Sequence, residues 1–132
     1  MTRFPLLSVA LLTGLVVGLA ACAAPQAEVG RITYEGVETR LLDDDLVGFQ
    51  VAVTGTTNRA RATAYANCAA AQYAMIRGYG FARHVRTNVQ KQGTGVSVDA
   101  VYLISDAIPR GLRTIEAEVM LNDCRERGIP TV

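Results

Sequence analysis

Residues 46–55 read LVGFQVAVTG, and the alternation within them decides the fold. Val47, Phe49, Val51 and Val53 fall on one side of an extended chain, and Gly48, Gln50, Ala52 and Thr54 fall on the other. A period of two marks a strand with one buried face. Directly after it, Gly55 to Asn58 supply turn and helix-capping chemistry. The chain from Arg59 to Tyr79 then carries a helical stripe at Ala64, Cys68, Ala71, Met75 and Tyr79. Its many alanines predict a helix packed closely on a sheet.

Working outward, Gly78 and Gly80 end that helix and FARHVRTNVQK follows as a strand, with Phe81, Val85 and Val89 on one face. Gly93-Thr94-Gly95 reads as a hairpin turn, because glycine supplies the positive φ such turns require. Centred on Thr94, the hairpin sets His84 opposite Ile104 and diagonal to Asp106, within reach of a modest surface ion pair. The run VSVDAVYLIS is apolar on both faces around Ala100 to Ile104, which predicts the most interior strand.

Pro109 and Gly111 break the chain, and Thr114 is the expected start of a last helix, TIEAEVMLNDCRERG. Glu116 and Glu118 near its start, and Arg125 and Arg127 near its end, complement the helix dipole. Ala117, Met120, Leu121 and Cys124 form its buried stripe. On the other side of the opening stretch, GRITYEGVETRLLDDD changes register at Gly36, as an edge strand or hairpin with a bulge does. The predicted fold is a small single α+β domain with a mostly antiparallel sheet. Two helices lie on one face of a β-α-β-β-α core, with an extra N-terminal edge strand.

The chain has 132 residues, 13 Lys and Arg against 12 Asp and Glu, and half its residues are apolar. That is room for one core, and the charge balance argues against nucleic acid as a partner. Residues 1–21 have the layout of a secretory signal: Arg3 near the start, an apolar run from Leu6 to Leu19, then small residues. Gly14 and Gly18, with a run at or below the ~20 residues needed to cross a bilayer, weigh against a permanent span. An uncleaved N-terminal anchor is the alternative.

Leu19-Ala20-Ala21-Cys22 resembles the lipobox of bacterial lipoproteins. The resemblance covers the first 22 residues and implies cleavage before Cys22, a diacylglyceryl group on its thiol and an acylated amino terminus. Each buried CH₂ contributes roughly 0.8 kcal/mol, so two or three acyl chains hold a protein far more firmly than one myristoyl chain. Residues 22–28 then form the lipidated cysteine and a flexible tether, and residues 29–132 the globular domain. Ala23, where the enterobacterial sorting pattern places an inner-membrane Asp, favours the outer membrane with the domain facing the periplasm. The C-terminal half, ending CRERGIPTV, resembles small proteobacterial lipoproteins with no assigned activity, which implies no catalytic residue.

With Cys22 assigned to lipid, Cys68 and Cys124 are left as an even pair in an oxidising compartment, and a disulfide is predicted. Two buried, unpaired cysteines are the alternative. Neither spacing resembles CxxC, so no redox or zinc role is implied.

Signatures of chemistry are sparse. After the signal there are one histidine, His84, and two serines, Ser97 and Ser105, with no GxSxG, HExxH or phosphate-binding glycine loop. A hydrolase would have to recruit His84 with Ser105 and Asp106 across the hairpin. Asp43-Asp44-Asp45 cannot alone provide the six to eight oxygens of a calcium loop and reads as a solvated charge run. No metal or cofactor is called for.

Charge is segregated along the chain. Residues 28–45 hold six acids, whereas residues 46–98 hold Arg59, Arg61, Arg77, Arg83, Arg86 and Lys91 with no acid. One reading pairs these cations with Asp43–Asp45 or with the acids of the last helix. The other makes them an anion-facing surface for lipid headgroups or an acidic envelope protein. Function is therefore expected to be that of a membrane-anchored, non-catalytic interaction or structural module, with a small His84 enzyme as the alternative.

Overall fold

The computed structural model describes residues 31–111 and 113–131. The predicted signal, Cys22 and the tether lie outside the described residues. The elements run β1 (Thr33–Leu41), β2 (Leu46–Thr54), α1 (Arg59–Ile76), β3 (Phe81–Gln92), β4 (Gly95–Ser105), β5 (Thr114–Glu116) and α2 (Ala117–Glu126). The five strands form one antiparallel-paired sheet in the order β1-β2-β4-β3-β5. This is the α+β architecture expected, with β4 at the centre of the sheet. Among the described residues no helix is long and apolar enough to cross a membrane.

β2 behaves as its alternation dictates: Val47, Phe49, Val51 and Val53 are buried while Gln50 and Thr54 are exposed. They align with Tyr102, Ala100, Val98 and Val96 of β4, so one continuous apolar face is built across two strands. α1 lies on that face. Asn58 caps it, its side chain accepting from the Ala60 amide at 3.0 Å. Tyr65 meets Tyr34 of β1, and Tyr73 meets Phe49 of β2, both edge to face. Cys68 instead reaches α2, where it is joined to Cys124 by a disulfide. α1 is therefore buried on two sides, and its alanines let both neighbours approach closely.

The N-terminal edge strand is present, and its bulge falls where Gly36 allowed it: Tyr34 pairs with Val53 but Val37 pairs with Val51, with Gly36 at φ +107°. α1 ends at Ile76, three residues before the expected Tyr79. There Gly78 takes φ +80°, and the Tyr79 amide donates to the Ala74 carbonyl at 2.8 Å, closing the helix before Tyr79 can join it.

Two further expectations are corrected. Thr114 does not begin a helix. Thr114 to Glu116 pair with Arg83 to Phe81 as the short strand β5, and α2 starts at Ala117. The β-branched Thr114 and Ile115 suit a strand, and the outer edge of β3 offers them unpaired backbone groups. The β3–β4 hairpin turns on two residues, Gly93 and Thr94, so Gln92 pairs with Gly95. A bulge at Val85 then shifts the register again, so His84 lies opposite Tyr102 and Ala82 opposite Ile104. Val85 is the extra residue and is 48% exposed, and the bulge sets Phe81 and Val89, expected on one face with it, on opposite faces of the sheet.

The helices cover one face only. α2 packs against α1 and β5 rather than against the middle of the sheet. The opposite face is polar and open along Gln50, Asn88, Gln90 and Asp99, except where β4 crosses it with the buried Val101.

Candidate functional site

The observed register sets His84 opposite Tyr102 on the helix side of the sheet, beneath α1. There a cavity of about 440 Å³ opens between α1, β3 and β5, lined by Thr63, Asn67, His84, Thr87, Arg113, Thr114 and Ile115. Thr63 and Asn67 are one helical turn apart on α1, two polar residues among buried alanines. His84 and Thr87 straddle the Val85 bulge, which sets both on the same face. Arg113 reaches the rim from the segment before β5, with a backbone φ of +68° that non-glycine residues rarely adopt. Its carbonyl accepts from the His84 amide at 3.1 Å, so the two residues are held side by side.

The His84 Nδ1 lies 3.4 Å from the Arg113 guanidinium, which can only donate, and this contact favours the tautomer with the lone pair on Nδ1. Nε2 then carries the proton and donates to the Thr87 hydroxyl at 2.5 Å. Partial burial holds the His84 pKa below the usual histidine value. The Arg113 charge lowers it further, and a backbone contact at Arg86 partly opposes both. Beneath this pair, the Tyr102 hydroxyl donates to the Asn67 Oδ1 at 2.6 Å, and the Tyr102 ring meets the imidazole edge to face. Burial pushes the Tyr102 phenol well above its ordinary pKa, so it remains a donor.

A consequence for pH follows. The folded state disfavours charged His84, so the unfolded state binds the proton more readily between the two pKa values. The neutral ring's contribution is fully present above the unfolded value of about 6.5 and is lost as pH falls through the folded one. Arg113→Gln should raise the His84 pKa. The imidazole resonance of this sole histidine, followed through a pH titration, measures the shift directly.

Other predicted residues are placed elsewhere. Ser105 lines up with Phe81, on the sheet face away from His84, and its hydroxyl accepts from the Ala107 amide. The triad of His84, Ser105 and Asp106 is therefore not assembled. Asp43 to Asp45 form the exposed β1–β2 turn, where the Asp43 carboxylate accepts from the Asp44 amide at 2.9 Å. Among the described residues no group of three His, Cys, Asp or Glu is placed to hold a metal.

The six cations do not share a surface. Arg59 and Arg77 bracket the 18-residue α1, about 27 Å apart at 1.5 Å per residue. Arg61 donates to the Tyr34 hydroxyl at 3.3 Å, and Arg77 to the Tyr73 hydroxyl at 2.7 Å. Arg83 lies against Gly111, with its Nε buried. Arg86 faces Asp99 at 4.0 Å on the open face, whereas Lys91 projects from the helix side of β3. Among the described residues the expected ion pairs with Asp43–Asp45 or with the acids of α2 do not form. Segregation along the chain failed to become segregation in space because β3 sends Arg86 and Lys91 to opposite faces and α1 separates its terminal arginines.

Residues 34–128 match the model of a family described as the YNQ4 C-terminal domain. The chain belongs to this family. The matched span runs from β1 through α2 and contains both disulfide cysteines and every residue lining the cavity. An uncharacterized 26.9 kDa protein in the nqo8 5' region of Paracoccus denitrificans is similar to the chain, 36% identical over 108 residues. Those residues are 82% of this chain and 42% of that protein, so the chain spans well under half the length of this curated relative. No solved structure matches.

Within this YNQ4 C-terminal domain, sequence reasoning singled out His84 and missed Arg113, Thr63, Asn67, Thr87 and Thr114. One signal could have found part of the set. Thr63 and Asn67 stand four residues apart as polar interruptions in a run of small apolar residues, which on a buried helix needs a polar counterpart. Arg113 gave no such signal, because only the β3–β5 pairing brings it to His84.

Proposed function

We propose that this chain is a lipid-anchored protein of the cell envelope whose domain is a non-catalytic binding module facing the periplasm, with the outer membrane as its location. The lipobox-like Leu19-Ala20-Ala21-Cys22 supports the anchor, and the Cys68–Cys124 disulfide suits an oxidising compartment. One observation supports the non-catalytic part: the Arg113 guanidinium stands 3.4 Å from His84 Nδ1. A base in that position cannot accept a proton from a substrate without displacing Arg113. Nor does a threonine–histidine dyad work. Nε2 could accept from Thr87 only if Nδ1 carried the proton, and that would set two donors against each other. Among the described residues no serine, cysteine or carboxylate lines the cavity to act as a nucleophile or acid.

Expression of the full chain in a bacterial host with labelled palmitate tests the anchor. The label should appear on a product lacking residues 1–21 and should vanish in Cys22→Ala, which should remain full length. Label retained by Cys22→Ala, or absent from the unsubstituted chain, would sink the reading. A small envelope enzyme is the second reading, favoured by the presence of a cleft beside His84.

A further inference from the structure

The cavity's polar lining offers several hydrogen-bond donors. Arg113 at the rim donates only, and the Asn67 carbonyl oxygen is already engaged by Tyr102, which leaves its amide NH₂ to donate into the cavity. Thr87 accepts from His84, so its own hydroxyl proton is directed elsewhere. Thr63 adds a second hydroxyl. Among the described residues no carboxylate lines the cavity or pairs with Arg113. Ile115, buried, adds an apolar surface to the lining.

Donors together with a hydrocarbon surface, in a volume typical of small-molecule sites, are complementary to an anion with an organic body. From this geometry we propose that the cavity between α1, β3 and β5 binds a small organic oxyanion. Its carboxylate or phosphate head is held by Arg113, Asn67 and the Thr63 and Thr87 hydroxyls, and its body lies against Ile115. The proposal rests on the reading of the domain as a non-catalytic binding module and names the ligand class for that module.

A planar guanidinium suits both head groups because it can donate two parallel hydrogen bonds to either. The unusual backbone of Arg113 fits this role. Residues held at positive φ cluster at ligand clamps, where the surrounding structure maintains them, and here the His84 amide and the β5 pairing do so. His84 contributes a neutral ring that orients Arg113 and Thr87 and places no second donor on the lone-pair side.

The test uses the full chain in a neutral detergent and follows the resonance of its sole histidine. Sodium benzoate and phenyl phosphate are the anionic probes, with benzamide as the neutral isostere of benzoate. A bound anion should move the His84 resonance saturably and raise its pKa, since negative charge beside the ring favours the imidazolium. The tighter of the two anions identifies the head group. Arg113→Gln, an exposed position, should weaken binding roughly tenfold or more, the value of losing a charge-assisted hydrogen bond. Asn67→Leu should weaken it as well, with retained spectral dispersion showing that both variants fold. No saturable response to either anion at millimolar concentration would overturn the proposal, as would benzoate binding unchanged in Arg113→Gln. Benzamide binding as tightly as benzoate would overturn the oxyanion assignment and leave the binding module standing. Release of phenol from phenyl phosphate would support the oxyanion site and overturn the non-catalytic reading beneath it.

Discussion

Reducing the Cys68–Cys124 bridge is expected to remove about 4 kcal/mol of unfolding free energy, the value the chain-entropy model assigns to a closed loop of this size. The two cysteines are separated by 56 residues, so the bridge spans more of the described chain than any single element. A domain of this size is stable by only about 5–15 kcal/mol, so the loss is a large fraction of the whole. The structure adds a reason to expect the full amount. α2 buries only Ala117 and Cys124 completely, and it packs on α1 and β5 without reaching the sheet centre. Its attachment therefore leans on the covalent link more than on apolar area. Urea unfolding of the oxidised protein and of Cys68→Ala/Cys124→Ala should differ in midpoint by more than about 1 M at an ordinary denaturant slope. Coincident midpoints would mean that α2 is held by packing alone.

How the sequence could be read up to this point, and not further, follows from the range of the interactions involved. Strand β2 was legible because its alternation is local: each apolar residue is two positions from the next. The bulge at Gly36, the Asn58 cap and the central place of β4 were legible for the same reason, since each depends on a few adjacent residues. β5 was not. Thr114 and Ile115 suit either the start of a helix or a strand, and only the free edge of β3, some thirty positions earlier, selects the strand. The cavity was harder still. A one-residue difference in the hairpin turn and one bulge at Val85 decide whether His84 faces Ile104 or Tyr102. Together the two changes make a two-residue slip, which keeps His84 on its face but replaces its neighbours. Asp106 was therefore expected beside His84 and Arg113 was not.

The aromatic contacts that join the core to the cavity yield the other large effect. Phe49→Ala should cost about 3–5 kcal/mol, the range for deleting a buried phenylalanine. Phe49 is fully buried at the middle of β2 and touches two rings edge to face, Tyr73 at 5.7 Å and Tyr102 at 5.9 Å between centroids. Such pairs contribute about 0.5–1.5 kcal/mol each beyond their area, so their loss places this substitution toward the upper end of the range. The neighbours cannot easily fill the void. Ala100 and the alanines of α1 are small, and Tyr102 is tied through its hydroxyl to Asn67. Tyr102→Phe is the informative comparison. It keeps the ring and leaves the Asn67 oxygen without its donor, which costs about 1–3 kcal/mol. Urea unfolding should therefore rank Phe49→Ala well below Tyr102→Phe in stability. The His84 resonance should separate the two by cause, because Tyr102 lies between Phe49 and the imidazole, 5.5 Å from the latter. Phe49→Ala loosens the Tyr102 ring and should move that resonance, whereas Tyr102→Phe holds the ring and should act chiefly on Asn67. A Phe49→Ala variant that unfolds at the unsubstituted midpoint would show that the helix and sheet do not meet through this residue. A large loss of stability with an unmoved His84 resonance would show that the cavity is held by β3 and β5 alone, independently of the aromatic contacts beneath it.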